Sequence, residues 1–505
     1  MGLVLSVQKL CTAYDVIFIQ RPRWKRQELR EKLRANRGDP GTVQSRPADG
    51  SRVSLLSSEE GEGSGEDHDG GGAHMPGQQS TQLDSQHVAE PKLTTFQQVA
   101  QTFSMYTNCH RLLNTDTDPS SLTCLHGLRV ICTAWVVMGD LLIFQMIVVV
   151  GSSFQQVCEQ TSKLKWFGYV IKRYLRLVPL VIIVGALYIG LWPVLGQGPV
   201  YPKDAPDRQA CENHWFYTTL LVNTYIDVGD ICFPWTWYIA AEFQLYLLCP
   251  IFMIPLVKGW KKTGTLAALV LIAASVISTG VISKLKKLPE MVLQYQLADA
   301  GIRNLSDVQN YILIKPYCRM APYIIGLLLG HTLRKDGAPR LSRVVVALGW
   351  LLCIVSEMGT IFGVYGSYSH HHLATVDAAA VYNAVKDVTF GLGIAWAIFA
   401  CLTGNGGIVN TFLSWRVFVP LSRMSYSIYL VHIPVIYLFI FHQEGAITMS
   451  EWALVVNFCG VFAISCVVSA IIHVVVETPM LAIQRTALRK LGLWQDTVLL
   501  QRESQ

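Results

Sequence analysis

Residues 172–196 read KRYLRLVPLVIIVGALYIGLWPVLG. Three cations fall in the first five positions, and the next twenty residues, 177–196, carry no charge at all. At about 1.5 Å per residue, that run reaches roughly 30 Å, the depth of a bilayer's hydrocarbon core. Pro179 and Pro193 would break a helix in water, but membrane helices tolerate proline because neighbouring helices satisfy the freed backbone groups. The stretch therefore reads as a membrane span with basic residues at its cytosolic mouth.

Runs of the same kind occur near 129–150, 235–257, 265–283, 318–333, 343–363, 387–403, 424–441 and 452–476, about nine with the first. The expected fold is all-α, a polytopic transmembrane helical bundle. Composition agrees: 505 residues are 51% hydrophobic and 15% charged, with a mean hydropathy of +0.35. Average soluble chains carry about 25% charge. These figures exclude a soluble enzyme, a nucleic-acid partner and a secreted disulfide scaffold; membrane lipids are the expected surroundings. The net charge of +6 says little about partners, and the oligomeric state is left open.

The chain divides into three regions. Residues 1–127 are expected to be largely disordered and cytosolic, 128–483 form the membrane domain, and 484–505 form a cytosolic tail. Residues 21–37 hold eight Lys/Arg, whereas 59–69 hold six acidic residues and no Lys or Arg. Gly38 to Ser85 is too polar to offset its ordering entropy by burial. The basic run suits either an anionic leaflet or solvent. The first twenty residues make no clear signal peptide. Met1 to Ser6 fits a myristoylation pattern, although such short matches are common.

Positive charge orients the spans. Lys258, Lys261, Lys262, Arg334, Lys335, Arg340, Arg343, Arg416, Arg485, Arg489 and Lys490 mark cytosolic segments. The 197–234 segment is acidic and contains Cys211 and Cys232, a disulfide suited to an oxidising lumen. The 284–316 loop carries Lys284, Lys286 and Lys287 but also a glycosylation sequon at Asn304. The last eight spans form a consistent set with both ends cytosolic. The first does not, because Lys163, Lys165, Lys172, Arg173 and Arg176 follow it on the side where it also begins. Either it is re-entrant, or residues 1–128 are lumenal, or a span between 140 and 170 is absent. Endoplasmic reticulum or plasma membrane is the expected location. No Cys/His spacing suggests a metal site, and His370-His371-His372 reads as a local polar cluster.

Ionisable residues inside spans are costly and mark candidate sites. Arg129 and Asp140 are eleven residues apart and share a helix face; a pair between Asp140 and a neighbouring helix explains that residue equally well. Arg173 and Arg176 share another face, suited to phosphates, with Lys172 beside them; ordinary anchoring competes with that reading. Glu242, about two turns inside from Trp235 and Trp237, invites acid–base work, with Tyr238 beside it. Lys315 and Arg319 cluster at an interface. His432 is an isolated intramembrane His that a structural hydrogen bond explains as readily as catalysis. Glu357 and Glu477 are weaker candidates, the latter read as interfacial.

At these residues the sequence resembles the acyltransferase-3 superfamily, in its animal nose-resistant-to-fluoxetine branch. The resemblance runs from about Phe103 to Arg485, through Ser121 to Arg129, Lys172 to Pro179, Trp235 to Pro250, Lys315 to Gly330, Leu421 to His432 and Val476 to Pro479. It implies acyl transfer from a cytosolic acyl-CoA donor to a hydroxyl acceptor in or across the membrane. It assigns catalysis to an Arg and a His with ten residues between them. Arg129 fills the first position, but Asp140 replaces the His, leaving His126 or Glu242 as other bases. Arg173 and Arg176, with Lys172, would hold the donor. The resemblance also implies one more span after position 140 and a lumenal cysteine-rich domain before the bundle, neither of which this sequence contains. The competing expectation is an inactive member acting as a lipid or small-molecule carrier or scaffold.

Overall fold

The computed structural model describes residues 2–21, 23, 94–116, 123–139, 166–197, 201–290, 305–335, 341–365, 375–442 and 451–491. Asp140, Asn304 and the 370–372 histidines lie outside the described residues, as does Gly38 to Ser85. Among the described residues every regular element is helical, as an all-α protein requires. The chain forms two compact units, residues 1–106 and 107–505.

The first unit contains ordered helix within the region expected to lack it. Helix α1, Gly2–Tyr14, continues through a wide turn, Asp15–Gln20, and packs with α2, Thr95–Phe103. Thr94 caps α2 in a reciprocal box with Gln97, which satisfies two backbone donors at the helix start. Tyr14 meets Phe96 edge-on, ring centres 5.1 Å apart.

Helix α3 (Met105–Leu113) spans the boundary at residue 106, and the second unit continues with α4 (Cys124–Gly139) and α5 (Trp166–Leu195). After α6 (Arg208–Thr219) come α7 (Trp237–Leu248), α8 (Pro250–Val257) and α9 (Lys261–Lys286). Next are α10 (Met320–Lys335), α11 (Arg343–Phe362), α12 (Val376–Leu402) and α13 (Gly407–Leu413). The chain closes with α14 (Phe418–Phe441), α15 (Glu451–Ile472) and α16 (Thr478–Lys490). Among the described residues seven helical stretches are long and apolar enough to cross a membrane. The expected spans at 129–150 and 318–333 correspond to two shorter apolar helices.

Two bodies of helices make the bundle. Helix α12 packs against α9, α10 and α11, while α14 packs against α4, α5 and α15, and α4 joins the groups by touching α12. Helices α9 and α11 expose Leu266, Leu269, Ile277, Leu348, Leu352 and Val355. Water would penalise such a surface, whereas hydrocarbon does not.

Helix α12 begins eleven residues before the span read from sequence, because Thr375 caps it by accepting from Ala378 N. Its early polar residues find tertiary partners. Asn383 Nδ2 donates to Ser283 Oγ and to the Pro289 carbonyl, each at 3.0 Å. At the end of the bundle away from the Lys258–Lys262 loop, Cys211 and Cys232 form the expected disulfide. It sits in an aromatic cluster of Tyr188, Trp192, Phe233 and Trp235. Gly185 lets Phe233 reach α5, since a β-carbon there would collide with that ring. Phe233 itself takes a left-handed backbone, φ 60°, that turns the chain into α7.

Candidate active site

Helices α5 and α7 run antiparallel, and three contacts fix their register. Tyr169 stacks on Tyr246 with ring centres 4.0 Å apart, Arg173 pairs with Glu242, and Tyr174 meets Phe243 edge-on at 6.2 Å. The Arg173 and Glu242 side chains are 7% and 3% exposed, so both charges are removed from solvent together. The guanidinium also lies 5.4 Å from the centre of the Tyr246 ring, where the face of the π-system favours a cation. Sequence reading assigned Arg173 to the donor and Glu242 to catalysis. The structure commits each to the other, and Arg173 Nε is left without a hydrogen-bond partner.

Arg176 differs. It stands about one turn further along α5 and keeps accessible surface. Arg173, Arg129, Glu477 and Glu242 all lie within its electrostatic reach. Among the described residues, three guanidiniums and two carboxylates thus act on one another at this level, one positive charge in excess. Arg129 enters from α4, with its side chain half-buried.

Glu477 is buried rather than interfacial. A single wide turn, His473–Glu477, joins α15 to α16 and brings His473 Nδ1 to 2.8 Å from Glu477 Oε2. Ser427 on α14 donates its hydroxyl to the same oxygen. The Ser427 contact was not legible from local sequence, because it joins segments fifty residues apart. Gln484 Nε2 donates to the Lys172 carbonyl at 2.9 Å, tying α16 to the start of α5.

The other expected residues occupy three places. His126 Nδ1 lies 2.5 Å from Ser422 Oγ, between Arg129 and Arg423. Lys315 Nζ donates to the Thr224 carbonyl at 2.6 Å, and burial holds its ammonium below the usual lysine range. Arg319 Nη1 donates to Asp387 Oδ2 at 3.0 Å, a second buried ion pair. Asp387 escaped the sequence reading because the expected span began at that residue. Trp237 and Tyr238 are buried, and the Tyr238 hydroxyl has no hydrogen-bond partner. His432 is buried on α14, with Nδ1 2.6 Å from the Tyr429 carbonyl and Nε2 without a partner.

A bundle of apolar helices with buried ion pairs between its members defines a polytopic membrane protein. The acyltransferase-domain profile of the acyltransferase-3 family matches residues 146–474, and the chain belongs to that family. Arg129 precedes the matched residues, so its place in the site rests on the geometry above. The chain is similar to nose resistant to fluoxetine protein 6 of Caenorhabditis elegans. Identity there is 27% over 389 aligned residues, covering 65% of this chain and 47% of that protein. It is also similar to regulator of hypoxia-inducible factor 1 of the same organism, at 23% over 337 residues and 65% of each chain. The chain thus spans about half the length of the first relative. No solved structure matches it.

Proposed function

We propose that this integral membrane protein transfers an acyl group from an acyl-CoA donor to a hydroxyl acceptor in or across the membrane of the endoplasmic reticulum or the cell surface. The observation that carries this reading is Arg176, accessible and in net positive surroundings at the basic end of the bundle. A phosphate anion there gains charge-assisted hydrogen bonds in a setting of low dielectric. Arg173, closed by Glu242, fixes the register of α5 against α7, and Arg176 lies about one turn further along the same helix. The resemblance to acyltransferases then supplies the chemistry: the acceptor oxygen attacks the thioester carbonyl, the C–S bond breaks and free CoA leaves as a thiol.

The test is acyl incorporation from labelled acetyl-CoA and palmitoyl-CoA into membranes containing the protein. Incorporation should fall at least tenfold in the Arg173→Ala/Arg176→Ala variant. Equal incorporation by both proteins refutes the reading. Asp140, in place of the family His, favours a second reading as a carrier or scaffold. Under that reading Asp140→His gains an activity that the natural chain lacks.

A further inference from the structure

The buried histidine of α14 is set up in one tautomer. Its Nδ1 lies 2.6 Å from the Tyr429 carbonyl oxygen, and a carbonyl only accepts hydrogen bonds. In the neutral imidazole Nδ1 therefore holds the proton, and Nε2 presents a lone pair. That Nε2 is fully enclosed, in a residue 1% exposed, and among the described residues it has no hydrogen-bond partner.

A second orphan stands nearby. The Tyr429 ring is 5.6 Å from the His432 ring and 5.7 Å from the Tyr238 ring, centre to centre. The Tyr238 hydroxyl is buried and unpartnered, while Tyr429 spends its own hydroxyl on the Trp235 carbonyl. Two buried polar atoms, each without a hydrogen-bond partner among the described residues, thus belong to rings that pack against Tyr429, one able only to accept and the other able to donate. An alcohol, at once donor and acceptor, has the chemistry to complement either.

Register places this pair relative to the arginines. Tyr426 donates to the Leu177 carbonyl at 2.8 Å, and Tyr437 lies 6.5 Å from Tyr188, so α14 and α5 run side by side. His432 is six residues beyond Tyr426, and Arg173 is four residues before Leu177. At 1.5 Å per residue the two are separated by about 15 Å along the bundle, with His432 towards the disulfide end. Tyr238 is four residues before Glu242, the partner of Arg173, on the antiparallel α7, so it stands about 6 Å from the Arg173 level towards the disulfide end.

We propose that His432 is the catalytic base of this chain, receiving the acceptor hydroxyl from the disulfide side while the donor's phosphates sit at Arg176. The inference rests on the acyl-transfer reading and deepens it. Nε2 takes the hydroxyl proton as the acceptor oxygen forms its bond to the thioester carbon. The C–S bond breaks, and the proton held on Nε2 passes to the departing CoA sulfur. Base catalysis of this kind contributes about 10²–10⁴-fold.

The test uses the full chain in membranes with labelled acetyl-CoA and palmitoyl-CoA, reading acyl incorporation and release of free CoA thiol. Equilibrium binding of CoA itself is measured in parallel. His432→Gln should keep CoA affinity within about twofold, because the change lies far from Arg176, and lose transfer by about a hundredfold or more. His432→Ala should regain about tenfold in added imidazole, whereas Arg176→Ala should regain nothing. Transfer by His432→Gln at the wild-type rate overturns the inference and leaves the acyl-transfer reading standing. Parallel loss of CoA binding and transfer, without imidazole rescue, marks His432 as structural and also overturns it. A wild-type protein that transfers neither acyl group removes both.

Discussion

Glu242→Ala would strand the Arg173 guanidinium, which is 7% exposed, with Arg129 and Arg176 acting on the same recess. Removing one partner of a buried pair costs about 3–5 kcal/mol, mostly through the charge left behind. Coulomb's law gives a similar figure, about 4 kcal/mol for a pair 4 Å apart at an effective permittivity near 20. Arg173→Met should cost as much by stranding the carboxylate. The double variant Arg173→Met/Glu242→Leu strands neither charge, and such replacements are close to neutral or stabilising. The expected coupling energy is therefore about 3 kcal/mol or more, with the double variant more stable than either single one. Chemical unfolding of the four purified proteins in one detergent measures it. Single and double effects that add to within about 0.5 kcal/mol would show that the charges do not depend on each other, and the reasoning about this site would fail.

Other outcomes can be checked in the same preparations. Arg176→Ala should weaken CoA binding about tenfold to a hundredfold, since a charge-assisted hydrogen bond is worth about 1.5–3 kcal/mol; unchanged binding places the phosphates elsewhere. Cys211→Ser/Cys232→Ser, which opens a loop of 21 residues' separation, should cost about 3 kcal/mol. Reductant should destabilise the wild type to match and leave the variant unmoved. Burial raises the Asp207 carboxyl to about 6 from its ordinary 3.8. The folded state therefore holds that proton more tightly than the unfolded chain. Its contribution is full below about pH 4 and lost as pH rises through about 6, an amount near 3 kcal/mol. Asp207→Asn should accordingly gain on the wild type at pH 7.5, with the gap closing in acid; a gap that widens in acid contradicts the assignment.

The spans were legible because a bilayer demands uninterrupted apolar length, a property that each segment carries by itself. The Cys211–Cys232 link was legible because both cysteines fall in one polar segment. What escaped was pairing between segments. Arg173 and Glu242 were each visible as costly charges, but nothing local says that they neutralise one another. Asn383, Lys386 and Asp387 interrupt an apolar run and so hid the first three turns of α12. Their partners Ser283 and Arg319 belong to α9 and to the start of α10. Glu477 looked interfacial beside Pro479, and its burial depends on a wide turn and on Ser427 from another helix.

The Arg173–Glu242 and Arg319–Asp387 ion pairs and the accessible Arg176 have different parts in the bundle. Inside a membrane, apolar contact between helices gains little over contact with lipid, so polar and aromatic locks must set how helices slide against one another. Arg173–Glu242 sets α5 against α7, and Arg319–Asp387 sets the start of α10 against α12. Each is a poor source of net stability after desolvation, yet each removes alternatives in register, because a slip of one turn would strand two charges. Arg176, displaced from the first pair by about one helical turn, inherits that fixed position and still reaches solvent. The same register carries the orphaned Tyr238 hydroxyl and His432 Nε2 to successive levels beyond it. On the proposed reading, a ligand held by its phosphates at Arg176 meets beyond it two polar atoms that lack partners among the described residues, the order that a transfer between the two ends of the bundle requires.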